Sequence, residues 1–192
     1  MDKNYPAEIV LVVSNRPNAE GIAYARGAGV ATTIIDHTDY KNNRAAFERA
    51  LQAVLESSGI EIVCLAGFMR LFTPWFINEW QGRMLNIHPA LLPAFKGLHT
   101  HEQALAAGAK THGATVHFVT EDMDAGPIVC QAAVRVLNDD TAETLGARVL
   151  TAEHKIYPLA LKWLAEGSLR VEDGRCTVDS EVPTGILARG EK

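Results

Sequence analysis

The chain reads as a single-domain α/β protein, with a mostly parallel sheet and helices on both faces. Three features predict this. Apolar runs of strand length alternate with stretches whose apolar residues recur at helical spacing, beginning at Ala7. Strand–helix–strand repetition favours parallel pairing, because the helix carries the chain back to the same edge of the sheet. The length, 192 residues with 47% hydrophobic side chains, suits one buried core.

Ala7–Val13 reads as a buried strand, ended by the loop Ser14–Asn18 with its Pro17. Ala19–Ala28 follows as a short helix, with Gly27 and Gly29 as stop residues, and Val30–Ile35 is the next strand. Over Asn43–Ser57 the residues Ala46, Phe47, Ala50, Leu51, Val54 and Leu55 fall on one helical face, and Gly59 stops the helix. Ile60–Ala66 is a strand and Pro74–Trp80 a short helix. Met84–His88 is a strand that Pro89 must end, since proline has no N–H to give to a ladder. His101–Ala107 reads as a helix, and Thr115–Thr120 and Ile128–Val136 as strands. Asp140-Thr141-Ala142-Glu143 resembles a capping box opening a long helix to about Glu166. Ser168–Asp179 alternates like a hairpin around Asp173-Gly174, and the polar stretch Gly185–Lys192 is expected to be disordered.

Composition narrows the function. Acidic residues outnumber basic ones, 23 to 18, and no Lys/Arg cluster stands out, which argues against nucleic acid or an anionic membrane surface as the main partner. Cys64, Cys130 and Cys176 lie far apart; the first two sit in apolar runs and read as buried thiols of a reduced, cytoplasmic protein. No apolar run approaches the length of a membrane span, and no signal-peptide pattern opens the chain.

The richest segment is Met84–Pro93. Asn86 and His88, two residues apart on a strand, share a face, while Leu85 and Ile87 point the other way. Both polar residues lie toward the carboxyl end of the strand, where open α/β sheets bind ligands. A carboxylate, Asp124, lies in the turn-rich stretch Asp122–Pro127. A histidine can move a proton near neutral pH, an asparagine N–H can stabilise a developing oxyanion, and an acid can tune and orient the imidazole. The same three residues could instead satisfy backbone groups at a strand end and in a turn, and spacing alone leaves both readings open.

Weaker signals stand beside it. His99, His101, His112 and His117 lack a Cys or Glu partner at familiar metal spacing and read as surface or supporting histidines. Gly67–Phe72 follows a strand at the ligand-binding edge; it could wall a flat aromatic ligand or simply pack where a strand turns into a helix. Neither a Gly-x-Gly-x-x-Gly after a strand nor a Walker lysine motif is present.

Several motifs in fixed order resemble the folate-dependent formyltransferase superfamily: Leu65–Arg70, Leu85–Pro93, Gly97–His101, Gly113–Thr120, Met123–Pro127 and Glu153–Pro158. The likeness runs from about Ala7 to Glu166, and Leu98–His101 tilts it to the branch that acts on glycinamide ribonucleotide. It implies a Rossmann-like formyltransferase fold and transfer of formyl from 10-formyltetrahydrofolate, as co-substrate, to the amine of glycinamide ribonucleotide. By that analogy Asn86 stabilises the oxyanion, His88 is the acid/base and Asp124 tunes His88. Arg44, Met69, Arg70, Leu71, Phe72, Asn86, Thr120, Glu121, Asp122, Met123 and Asp124 would contact the folate. Leu150, Thr151, Ala152 and Glu153 would contact the nucleotide, with Glu153 on the ribose. The partners implied are small molecules, the enzyme a monomer or homodimer, and no metal or redox cofactor is implied.

The resemblance carries departures. Ala90 stands where the family often has serine, and Lys96 where it often has proline. The family also opens with an extra strand and a Gly/Ser/Asn-rich loop that holds the substrate phosphate at a helix N-terminus. Here Met1–Pro6 resembles the connection into the second strand, which points to a misassigned start or a truncation. On that reading residues 1–167 form a catalytic domain without its first βα unit, residues 168–192 form a hairpin-like tail, and the chain as written binds glycinamide ribonucleotide poorly and is unstable. Two alternatives follow: hydrolysis of 10-formyltetrahydrofolate, and a folate-binding remnant without catalysis.

Overall fold

The structure, a computed structural model, describes residues 4–190. Met1, Asp2 and Lys3 of the opening connection, and Glu191 and Lys192 of the tail, lie outside the described residues.

The first half follows the strand–helix alternation. β1 (Leu11–Ser14), α1 (Glu20–Gly27) and β2 (Ala31–Ile34) form a βαβ unit with parallel strands. A 3-10 turn (His37–Tyr40) leads to α2 (Arg44–Ser57), where the Asn43 side chain accepts the Ala46 N–H and so satisfies one of the free donors at the helix start. β3 (Val63–Leu65) and β4 (Met84–His88) are again parallel, with α3 (Pro74–Glu79) between them. The N-terminus of α3 is held by Glu48, a fully buried carboxylate that accepts from both the backbone N–H and the hydroxyl of Thr73.

Beyond β4 the strand sense changes. α4 (Thr100–Ala106), β5 (Thr111–Phe118), β6 (Ile128–Arg135) and α5 (Ala142–Ala165) complete the main body. β5 runs antiparallel to β4, and β6 antiparallel to β5. The sheet is therefore mixed rather than mostly parallel. α4 has seven residues and spans roughly 10 Å, too short to return the chain along an eight-residue strand. Instead it packs on α5.

The tail is part of this body. β7 (Leu169–Glu172) and β8 (Arg175–Val178) form the expected hairpin, and Cys176 and Val178 are buried in the main core. β9 (Ile186–Leu187) pairs with β6, and Gly190 bridges Val178, so Gly185–Gly190 is ordered where disorder was expected. Pairing with a distant strand leaves no local trace in sequence. The capping box opening α5 is made by Thr141 and Thr144, which cap each other reciprocally, with Glu143 in the first turn hydrogen-bonded to Thr141.

The strand order of the main sheet is β3-β4-β5-β6-β9, while β1 and β2 form a separate two-stranded sheet. Helices cover both faces of the main sheet. On β4, Met84 packs into a cluster with Phe47, Leu51, Phe76 and Trp80 of α2 and of α3 with its C-cap; its neighbour Leu85 packs into the opposite cluster with Val149, Ile156 and Trp163 of α5. The alternation of side chains along a strand accounts for this division. Ile9 and Val10, read from sequence as part of a buried strand, precede β1 and are 58% and 48% exposed. Cys64, on the edge strand β3, is likewise exposed; Cys130 and Cys176 are buried.

Candidate active site

β4 and β5 build one polar surface. In their antiparallel register Asn86 faces His117 and His88 faces Thr115, so all four side chains share a face. His88 is 4% exposed and His117 3%, while Asn86 is half-buried. Asp124 comes to this face from the loop between β5 and β6. That loop closes tightly: a side chain at Gly126 would meet the Phe118 carbonyl oxygen at 1.9 Å, so only glycine fits. Asp124 itself takes a left-handed backbone conformation, φ 50°, which the short polar side chain tolerates better than most.

The segment Phe95–Gly97 holds both acid/base partners at once. His88 Nε2 lies 2.9 Å from the Phe95 carbonyl oxygen. A carbonyl only accepts, so the hydrogen-bond network assigns the proton to Nε2. In the neutral ring Nδ1 then carries the lone pair, and it lies 3.5 Å from Asp124 Oδ2. The same Oδ2 accepts the Gly97 N–H at 2.9 Å. A proton arriving at His88 Nδ1 would thus create an imidazolium beside a fixed carboxylate, which suits general acid/base work.

The other histidines divide. His117 donates from Nδ1 to the Phe118 carbonyl at 2.8 Å, and its Nε2 lies 3.2 Å from Asn86 Nδ2 and 3.8 Å from Asp124 Oδ1. Burial lowers its pKa, against the opposing pull of the Phe118 carbonyl and Asp124. His101 and His112 hydrogen-bond to each other at 3.2 Å. His112 is fully buried and its Nδ1 has no hydrogen-bond partner; burial and the neighbouring His101 push its pKa down to about 4. Only His99 of the four is a surface residue; His101 is half-buried, and His112 and His117 are buried, His117 in a supporting position beside Asn86 and Asp124. Among the described residues no three His, Cys, Asp or Glu side chains converge as metal ligands.

The remaining candidates are spread around this centre. Met69 and Leu71 are 66% and 51% exposed, while Phe72 is buried and stacks between Phe68 and Phe76 at 4.9 and 4.5 Å. The Phe72 side chain is thus committed to the core, and any ligand contact there is left to its backbone. Arg70 lies with its guanidinium carbon 5.7 Å above the Phe47 ring, and its buried Nε has no hydrogen-bond partner. Arg44 is exposed at the start of α2. Glu121, Asp122 and Met123 are exposed beside Asp124, and the Thr120 hydroxyl donates to the Asp122 carbonyl within that loop.

On α5, Leu150 and Thr151 are exposed, Ala152 is buried in the core, and Glu153 is half-buried. Burial raises the Glu153 pKa, against the pull of His154 and His88. A separate depression of about 560 Å³, lined by residues such as Arg16, Asp36 and His37, includes none of these candidates. Sequence reasoning did not single out His117 as part of the site. Its signal is register, two residues beyond Thr115 and directly across from Asn86, and register is set only when β4 and β5 pair.

The sequence pattern of the formyl transferase family matches residues 1–161. The chain is 54% identical over 170 residues to a trifunctional purine biosynthetic protein, adenosine-3, from Bos taurus, covering 88% of this chain and 17% of that protein. It thus spans about a sixth of the length of that relative. It is 43% identical to the phosphoribosylglycinamide formyltransferase of Escherichia coli, covering 92% of this chain and 84% of the relative. Among solved structures, a glycinamide ribonucleotide transformylase from Symbiobacterium toebii superposes with a TM-score of 0.84 at 48% identity, over 87% of this chain and 78% of that one.

Proposed function

For this chain, which belongs to the formyl transferase family, we propose transfer of a formyl group from 10-formyltetrahydrofolate to the amine of glycinamide ribonucleotide. The observation that carries the reading is one constellation: His88 Nδ1 at 3.5 Å from Asp124, with Asn86 on the same strand face. The names of similar proteins supply the substrate.

The reaction runs as acyl transfer. The amine nitrogen attacks the formyl carbon, and the carbonyl oxygen becomes an oxyanion that an Asn86 N–H stabilises. His88 Nδ1 takes the proton that the amine must lose, with Asp124 steadying the imidazolium. The same proton then passes to the departing folate nitrogen as its bond to the formyl carbon breaks. Neutral His88 is restored, and no net proton is consumed within the site.

Binding follows from the surroundings. The exposed apolar side chains of Met69 and Leu71, on either side of Arg70, offer a flat ring apolar contact. Arg44 and the 120–124 loop complete the folate contacts in this reading. Glu153, whose carboxyl pKa burial raises, would meet a ribose hydroxyl in this reading. Leu150 and Thr151 supply the exposed neighbours, and Ala152 supports them from the core. Residues 1–167 carry the catalytic unit, with 168–190 as structural support.

Formyl transfer measured with and without glycinamide ribonucleotide tests the proposal. Product that depends on the amine supports it. Formate released equally well without the amine would replace it with hydrolysis, and folate binding without turnover would leave only a binding protein.

A further inference from the structure

We propose that His117 is a positioning residue that fixes which end of the Asn86 carboxamide faces the reacting carbonyl. This rests on the reading of Asn86 as the oxyanion donor.

The argument is one of hydrogen-bond polarity. The Phe118 carbonyl can only accept, so its 2.8 Å bond places a proton on His117 Nδ1. Nε2 of the neutral ring is then an acceptor, and it lies 3.2 Å from the Asn86 amide nitrogen. An acceptor there requires the NH2 end of Asn86, not its oxygen. One N–H is spent on His117 and the second remains for a ligand, while Oδ1 is turned away. Without that acceptor the amide is free to rotate by half a turn and present an oxygen to a developing negative charge, which repels it.

The neutral state of His117 is part of the device. It is 3% exposed, and burial opposes its protonation, as do the charges of His88 and Lys96. Asp124, with Oδ1 3.8 Å from Nε2, and the Phe118 carbonyl pull the other way. A proton on Nε2 would set donor against donor at Asn86 and favour the flipped amide. The antiparallel register of β4 and β5, which puts residues 86 and 117 directly opposite, makes the contact a property of the sheet rather than of a loop.

The test is a double-mutant cycle on the whole chain, read as kcat and KM for formyl transfer. His117→Phe should lower kcat by about 10- to 100-fold, the scale of a misplaced catalytic group, while KM for 10-formyltetrahydrofolate changes by less than about threefold. His117→Gln, whose side-chain oxygen can accept the same N–H, should recover most of that loss. In an Asn86→Ala background, His117→Phe should cost nothing further.

An undiminished kcat in His117→Phe, or an equal further loss in the Asn86→Ala background, overturns the positioning role. If Asn86→Ala alone keeps its kcat, the oxyanion reading itself fails, and that result is distinct from the others. Nitrogen NMR of the unmutated protein gives an independent answer should the Phe variant not fold. At neutral pH the His117 ring must be the Nδ1–H tautomer, and an Nε2–H tautomer or an imidazolium would overturn the proposal.

Discussion

Two of the three sheets among the described residues, the β1-β2 pair and the five-stranded sheet, are built from similar sequence and end in different states. β1 and β2 are four-residue strands, paired among the described residues only with each other, and no residue of β1 is fully buried; Ile9, Val10 and Ile34 stay exposed beside or within them. The five-stranded sheet holds Leu85, Ala114, Val116 and Cys130 at zero exposure, and β5 has seven of its eight residues buried. Apolar composition is alike in both; the number of covering layers is not. A strand is buried on both faces when neighbouring strands flank it and helices cover it above and below. The polar face of Asn86, His88 and His117 lies in the second region, where rigid surroundings can hold side chains to the tolerance that chemistry needs.

The sharpest way to break that contrast is to remove the chemistry from the packed sheet. His88→Ala should lower kcat by about a thousandfold while folate binding, followed by fluorescence or calorimetry, is retained. Near-normal turnover would move the reaction elsewhere.

The packing contrast can be measured directly. Leu85→Ala should cost about 3 kcal/mol in urea unfolding, because its site is fully enclosed between β4 and α5. Ile9→Ala should stay within about 0.5 kcal/mol. Equal costs would show that both regions share one core.

Acid should act on the packed sheet. His112 has a folded pKa of about 4 against the ordinary 6.5, so between those values the unfolded chain binds the extra proton. Its contribution is complete above pH 6.5 and is lost as pH falls toward 4, by roughly 3 kcal/mol at most. A His112→Asn variant should show a correspondingly shallower loss of stability over that window. An identical pH slope in the two proteins would refute the assignment.

A smaller loss than that of Leu85 belongs to Tyr157 of α5, whose hydroxyl lies 2.7 Å from the Leu65 carbonyl oxygen and 3.2 Å from that of Leu85. Tyr157→Phe should cost about 1 kcal/mol in the same unfolding assay. No change would mean that the carbonyls are equally well satisfied by water.

Local features were the legible ones. The helical spacing over Asn43–Ser57 was readable because it is set within a few residues. The bounds of β4 were readable because Pro89 ends it. Strand direction was not, since periodicity is the same for parallel and antiparallel strands, and a seven-residue α4 left the usual crossover argument without force. Nor was the β6–β9 pairing, which joins Gln131 to Leu187. For the site, the spacing of Asn86 and His88 gave their common face, but the approach of Asp124 depends on the tight turn at Gly126. His117 required the register itself.

The Phe95–Gly97 segment has a consequence for control. One peptide stretch supplies the carbonyl that holds the imidazole of His88 and the amide that grips the carboxylate of Asp124. Any displacement of that stretch releases both groups together. Proton carrier and counter-charge are therefore tied to one short run of backbone, so a change that shifts it acts on both.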